Sequence, residues 1–153
     1  MKTHAIPDGF GAVTPYLIVK SVPKAVEFYG GAFGAVEGFR MQFQGTVMHT
    51  HISIGGGKIM LAEEFPEEGF ISAETLGRSP ASVHLYVEDA GATYDRAIAA
   101  GAISIMAVEK QFFGDIHGII EDPFCYRWTI ATRVEEVSEI ELERRIREYD
   151  SKR

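Results

Sequence analysis

The chain has 153 residues, 46% of them hydrophobic and 24% charged, and its formal net charge is −7. This composition is ordinary for a globular domain with a buried core, and the acidic excess argues against nucleic acid or an anionic membrane as a partner. A single cysteine, Cys125, excludes an internal disulfide, and no apolar run reaches the length of a membrane span. The N-terminal residues also lack the apolar stretch of a secretion signal, so we expect a cytoplasmic protein.

An internal repeat organises most of the chain. After an N-terminal arm, residues 1–13, the segment YLIVKSVPKAVEFYGGAFGA at 16–35 has a counterpart in HLYVEDAGATYDRAIAAGAI at 84–103. Each segment predicts an alternating strand, an N-cap (Ser21 or Asp89) and a helix that ends near a glycine. The helices are followed by further predicted strands at 36–42, 47–54 and 58–64 in the first half, and at 104–111, 117–121 and 127–133 in the second.

Each half therefore predicts a βαβββ module, the first at 14–64 and the second at 82–135. We expect an α+β fold in which the two modules form a curved mixed-sheet cleft with the helices on the outer face. Residues 65–81 show no periodicity and predict a connecting loop, which is a lid, a linker, or a ligand contact through Phe65 or Phe70. Residues 136–153 predict a C-terminal helix and tail, with Ser138 and Glu141 as a capping box and Ile140, Ile146 and Tyr149 as apolar anchors.

Alternation assigns the side chains of the strands to two faces. The predicted helix-facing set comprises Leu17, Val19, Ile52, Ile54, Ile59, Leu61, Val83, Leu85, Val87, Trp128 and Ile130. The opposite, cleft-facing set comprises Thr14, Tyr16, Ile18, His49, His51, Ser53, Met60, Ala62, Ser82, His84, Tyr86, Arg127, Thr129 and Ala131. The second set mixes aromatic and polar side chains, which is typical of a ligand cavity.

Each of these residues also has a purely structural interpretation. Tyr16 and Tyr86 are more typical of strand residues whose hydroxyls reach water. His84 alone would be typical of a half-buried imidazole with its hydrogen bonds satisfied. Arg127 could bind an anionic ligand or pair with a carboxylate such as Glu64. His4 and His117 are interpreted as surface or loop residues. GGG at residues 55–57 precedes a strand and predicts a turn rather than a phosphate-binding loop.

The motifs FYGGAFGA, HLYVEDA, AIAAGA and EDPFCYRW, in this repeat, resemble the vicinal oxygen chelate superfamily, which includes glyoxalase I, extradiol dioxygenases and bleomycin resistance proteins. MHTHISIGGGKIMLAEEFPE, FFGDIHGIIEDPF and WTIATRVEEVS are similar to its PhnB-like group. The resemblance implies a single domain at 14–135, a homodimer and a small molecule bound in the cleft.

The resemblance also locates the metal ligands of the superfamily's enzymes, which fall here on Thr14, Met60, Ser82 and Thr129. None of these is a carboxylate or an imidazole, so no metal or other cofactor is predicted at that site. Two further departures are His51, where the group's pattern has glutamate, and Cys125, where the turn usually has glycine. With His49 and His84, His51 leaves open an unconventional divalent metal site.

Three functions remain as hypotheses. The first is a metal-free homodimer that binds or sequesters an aromatic or planar ligand through Tyr16, His49, His51, Met60, His84, Tyr86, Arg127 and Thr129. The second is an isomerase, lyase or epimerase with His51 or His84 as general base or as a metal ligand. The third is a structural or regulatory dimer whose cleft is vestigial.

Overall fold

The computed structural model describes residues 3–152, so Met1, Lys2 and Arg153, the outermost residues of the predicted arm and tail, lie outside the described residues. The chain divides into two compact units. The first unit contains residues 3–80 together with Pro123–Tyr126, and the second contains Ala81–Asp122 together with residues 127–152.

The first unit contains one mixed sheet and a long helix. Its strands are β1 (Tyr16–Val19), β2 (Val36–Glu37), β3 (Met41–Phe43), β4 (Thr46–Ile54) and β5 (Gly57–Glu63), and its helices are α1 (Val22–Phe33) and the short α2 (Ala73–Leu76). The sheet order is β1-β5-β4-β2, with β3 also paired to β4. Strands β1 and β5 are parallel and the other neighbours are antiparallel.

The second unit repeats this arrangement. Its strands are β6 (Ser82–Tyr86), β7 (Ile103–Lys110), β8 (Asp115–Glu121) and β9 (Arg127–Arg133), and its helices are α3 (Ala90–Ala99) and the C-terminal α4 (Glu139–Asp150). The sheet order is β6-β9-β8-β7, with β6 parallel to β9. The α+β fold with two mixed sheets is thus confirmed.

The pairing register confirms the alignment of the two halves residue by residue. Tyr16 lies opposite Met60 in the first sheet, and His84 lies opposite Thr129 in the second. Both predicted N-caps form as well: the Ser21 hydroxyl accepts a hydrogen bond from the Lys24 N–H at 3.4 Å, and an Asp89 carboxylate oxygen accepts one from Ala92 at 2.9 Å.

The predicted helix-facing residues form much of the core. Leu17, Val19, Ile52, Ile54, Ile59, Leu61, Trp128 and Ile130 are all buried. Burial of Trp128 removes its indole N–H from water, and Asp122 accepts a hydrogen bond from that group at 2.8 Å. Each sheet therefore has one face committed to packing, which leaves the opposite face to carry any site.

The strand predicted at 36–42 is wrong as a single element, because it is interrupted after Glu37. Gly38 lies against the ring of His51, and a Cβ added there would be 2.2 Å from His51 Nε2. The Gly38 N–H donates to the His51 carbonyl at 2.9 Å. This close approach needs a residue without a side chain, and the next strand, β3, begins only at Met41.

The turn at Pro123–Tyr126 packs within the first unit although it joins two strands of the second. Phe124 contacts the rings of Phe28 and Tyr29, with centroid distances of 6.0 and 5.8 Å. The Tyr126 hydroxyl donates to the Ile18 carbonyl at 2.9 Å. Cys125 has φ 65°, so this turn keeps the left-handed conformation usually given to glycine.

Hydrogen bonds to Glu64 hold the segment between the repeats in place. Its carboxylate accepts hydrogen bonds from the Ser72 N–H at 3.1 Å and from the hydroxyls of Ser72 and Thr75, both at 2.8 Å. Phe65 and Phe70 are joined by an isolated antiparallel bridge. The hydrogen bonds from Ser72 are the main cause of a lowered pKa of Glu64. Glu64 therefore holds the N-terminus of α2, and it is not the partner of Arg127.

The C-terminal helix forms as predicted after Ser138, whose hydroxyl accepts a hydrogen bond from the Glu141 N–H at 3.3 Å. The predicted apolar anchoring is wrong in part, because Ile140 is 82% exposed and no residue of α4 is buried. Arg145 of the helix donates to the Phe112 carbonyl at 2.9 Å and pairs with Glu135, and the predicted anchor Tyr149 lies with its ring 5.2 Å from that of Phe112. In the part of the chain that the structure describes, no helix is long and apolar enough to cross a membrane.

Candidate functional site

The open face of the first sheet brings four of the predicted site residues together. Tyr16, Met60 and His51 lie side by side across β1, β5 and β4. His49 lies two residues before His51 on the same face. The Tyr16 hydroxyl and His49 Nδ1 share a hydrogen bond at 3.2 Å, and Tyr16 remains 44% exposed.

The predicted N-terminal arm reaches this face. The ring of Phe10 meets the imidazole of His51 edge-on at 5.1 Å, and Lys58 Nζ lies 4.9 Å from the centroid of Phe10. Burial is the largest cause of a lowered pKa of His51, with further lowering by Lys58 and His49. His51 is therefore neutral at pH 7, and its half-buried ring is in contact with Phe10 and Gly38.

The open face of the second sheet carries a denser polar cluster. The rings of His84 and Tyr86 lie 4.7 Å apart, and the Tyr86 hydroxyl donates to Asp115 Oδ2 at 3.0 Å. The side chain of Asp115 is 2% exposed and also forms an ion pair with Arg133. Tyr86 itself is 56% exposed, so its ring is presented to solvent while its hydroxyl is fixed by a buried carboxylate.

The interpretation of His117 as a surface or loop residue is wrong. His117 lies in β8 opposite Ala131, on the same face as Tyr86 and Thr129. The offset along the chain from His49 to His117 equals that from Tyr16 to His84, so the repeat itself could have located it. Asp115 and Arg133 were also missed from the sequence, because alternation predicts the face of the sheet on which a side chain lies but not its hydrogen-bond or ion-pair partner.

Arg127 and Thr129 occupy the same open face in β9. Arg127 pairs with Glu121 of the neighbouring strand at 3.6 Å, and the side chains are 56% and 27% exposed. Its predicted alternative partner, Glu64, is engaged by Ser72 and Thr75. An exposed pair of this kind is weak, so the guanidinium can exchange its partner for a ligand anion.

The positions that the superfamily's enzymes use for a metal do not fit one here. Met60 and Thr129 lie on the open faces of their sheets, and neither a thioether nor a neutral hydroxyl competes well with water for a divalent ion. Thr14 instead donates to the Gly11 carbonyl at 3.3 Å. Among residues 3–152, no group of three or more His, Cys, Asp or Glu side chains could hold a metal ion.

Comparison with known proteins establishes the family. A family model described as "Glyoxalase/Bleomycin resistance protein/Dioxygenase superfamily" matches residues 9–130. The chain belongs to this superfamily.

Particular relatives are similar over most of their length. The chain is 35% identical over 136 residues to uncharacterized protein Mb0911c of Mycobacterium bovis, which covers 86% of this chain and 90% of that protein. The crystal structure of the Arabidopsis thaliana At5g48480 product is 28% identical, with a TM-score of 0.64 over 80% of this chain and 98% of that one.

A third neighbour is the fosfomycin resistance protein FosX of Listeria monocytogenes. It is 16% identical, with a TM-score of 0.61 over 86% of this chain and 97% of that one. At this identity the likeness concerns the fold.

Proposed function

We propose that the protein binds, and thereby sequesters, a small organic molecule with an aromatic or planar ring, without a metal at the superfamily's usual position. The observation that carries this proposal is the exposed ring of Tyr86, which lies 4.7 Å from His84 and is anchored through its hydroxyl to the buried Asp115. A fixed and exposed aromatic ring loses little conformational freedom when a second ring stacks on it.

The remaining predicted site residues supply polar contacts in this proposal. Arg127 and His84 would bind polar groups of the ligand from β9 and β6, beside Thr129. In the first module, Tyr16, His49, His51 and Met60 form a second open face with an aromatic and a polar edge. On the motifs given above, we also assign the protein to the PhnB-like group. Because it has a single cysteine and so no internal disulfide, we assign it to the cytoplasm.

Benzoate and cyclohexanecarboxylate provide a test, because they differ in the flat aromatic ring and share the carboxylate. We expect benzoate to bind more tightly by NMR titration, and Tyr86→Ala to weaken benzoate binding by about fivefold, since a stacked aromatic pair contributes roughly 1 kcal/mol. Tyr86→Phe keeps the ring and should stay within about threefold of the unsubstituted protein.

The matched control is Tyr149→Ala, which removes a tyrosine of similar exposure, 45%, from α4. It should leave benzoate binding unchanged. Equal binding of the two acids, or full binding by Tyr86→Ala, would contradict the proposal.

We further propose that the protein is a homodimer that uses the β2–β3 edge of the first sheet. Val36, Phe39, Met41 and Phe43 expose 67%, 80%, 51% and 65% of their surface there. Such a concentration of apolar side chains at a sheet edge favours association. Sedimentation velocity should give a dimer for the unsubstituted chain and a monomer for the double variant Phe39→Asp/Phe43→Asp.

Ile140→Asp is the control for added charge, because Ile140 is 82% exposed on α4, and it should remain dimeric. A clean monomer before any substitution would rule out the dimer, and a dimer in the double variant would rule out this edge.

A further inference from the structure

His117 has a buried nitrogen without a hydrogen-bond partner. Among the described residues, its Nδ1 is the buried side-chain nitrogen or oxygen atom for which no partner is found. The ring as a whole is only partly buried and lies 5.7 Å from that of Phe113. Because an unsatisfied buried polar atom is destabilising, its presence at an open sheet face requires an explanation.

The internal repeat supplies a direct comparison. His49 and His117 hold equivalent positions, since each lies two residues before the residue that faces Met60 or Thr129, respectively. In the first module, the nitrogen of His49 is satisfied by the phenol hydroxyl of Tyr16. In the second module, His84 takes the position of Tyr16. The nearby Tyr86 hydroxyl donates its hydrogen bond to Asp115 instead.

The charge state of His117 determines what its nitrogen can do. Burial is the largest cause of a lowered pKa of His117, and His84 lowers it further, while Asp115 and Glu109 act in the opposite direction. The imidazole is therefore neutral at pH 7, and in the Nε2–H tautomer Nδ1 is a hydrogen-bond acceptor. It lacks the hydroxyl partner that Tyr16 provides for His49 in the other module.

We infer that His117 is a specificity-determining residue of the second module, whose Nδ1 accepts a hydrogen bond from a phenol-type hydroxyl of the bound ring. The ligand hydroxyl would take the role that the Tyr16 hydroxyl has at His49. This inference rests on the proposed function, because it requires a ring bound against Tyr86 and His84. In this proposal the ligand hydroxyl reaches the nitrogen after a half-turn of the imidazole about its Cβ–Cγ bond, a soft torsion that exchanges the positions of Nδ1 and Cδ2.

Phenol and anisole are the probes, because they share the aromatic ring and oxygen, and anisole carries a methyl group in place of the hydroxyl proton. We expect phenol to bind about fivefold more tightly than anisole, as one net hydrogen bond predicts. In protein with ¹⁵N-labelled histidine, phenol should shift the Nδ1 resonance of His117 and anisole should not. This spectroscopic result is independent of any variant.

Two substitutions with side chains of similar size distinguish the effect of the Nδ1 acceptor on binding from the effect of side-chain packing. His117→Asn places an oxygen acceptor close to the position of Nδ1 and should keep the preference for phenol. His117→Leu has no acceptor and should bind both probes equally. If His117→Leu does not fold, the wild-type Nδ1 resonance and the Asn variant decide the question.

The inference is overturned if phenol and anisole bind the wild type equally, or if the preference persists in His117→Leu. In either case, resonances of Tyr86 that move with both probes would leave the proposed function standing. If neither probe moves the resonances of Tyr86 or His84, the proposed function fails and His117 loses this role with it.

Discussion

Replacing Gly114 by alanine is expected to lower the free energy of unfolding by about 3 kcal/mol. Gly114 has φ 101°, a conformation that alanine adopts only with strain, and an added Cβ would lie 2.3 Å from the backbone carbonyl oxygen of Glu135. The Gly114 carbonyl accepts hydrogen bonds from Val134 and Glu135, both at 3.0 Å. The main chain after β9 would therefore have to move away from the β7–β8 turn.

Urea unfolding measures this loss, and Gly56→Ala is the control. Gly56 also lies in a turn between two strands, but it has no atom within 4 Å of an added Cβ. We expect this control to change stability by less than about 0.5 kcal/mol. Equal stability of the two variants would show that the turn at Gly114 tolerates a side chain.

Removing the carboxylate of Asp115 has the second largest expected effect. Asp115→Ala should destabilise the protein by about 2 kcal/mol, because its side chain is 2% exposed and accepts hydrogen bonds from Tyr86 and Arg133. The loss stays below that of a fully buried ion pair, since Arg133 is 44% exposed and can turn toward water. Asp115→Asn keeps an acceptor for Tyr86 and should lose about half as much.

The control is the second arginine–carboxylate pair of the same sheet. Glu121→Ala removes the partner of Arg127, and this exposed pair should contribute less than about 1 kcal/mol. Chemical denaturation of the three variants gives the comparison. If Asp115→Ala and Glu121→Ala were equally stable, the buried position of Asp115 would have no energetic importance.

The sequence predicted the architecture well because the decisive signals are local. Alternation placed Leu17 and Trp128 in the core, and the short polar side chains of Ser21 and Asp89 marked the starts of two helices. Cys125 was noted only as a departure from the usual glycine, and its φ of 65° shows that the turn keeps the left-handed conformation without glycine.

The contacts within the candidate site were not predictable in the same way. Which carboxylate receives the Tyr86 hydroxyl depends on the stagger of three strands, and alternation carries no information on stagger. The interruption after Glu37 lies where Gly38 approaches a side chain of another strand, His51, and alternation does not predict such contacts. His117 is different, because applying the repeat offset to His49 would have found it from sequence alone.

The contact of Phe10 with His51 comes from a segment that precedes the first repeat. It therefore gives the first repeated sheet a difference from the second that does not arise from the duplication itself. A chain has one amino terminus, so a leading segment can shield one copy of a repeated sheet and not the other. Any change to the segment that carries Phe10, such as a fused affinity tag or a truncation, would therefore alter the surroundings of the His51 imidazole and should be avoided in ligand screening.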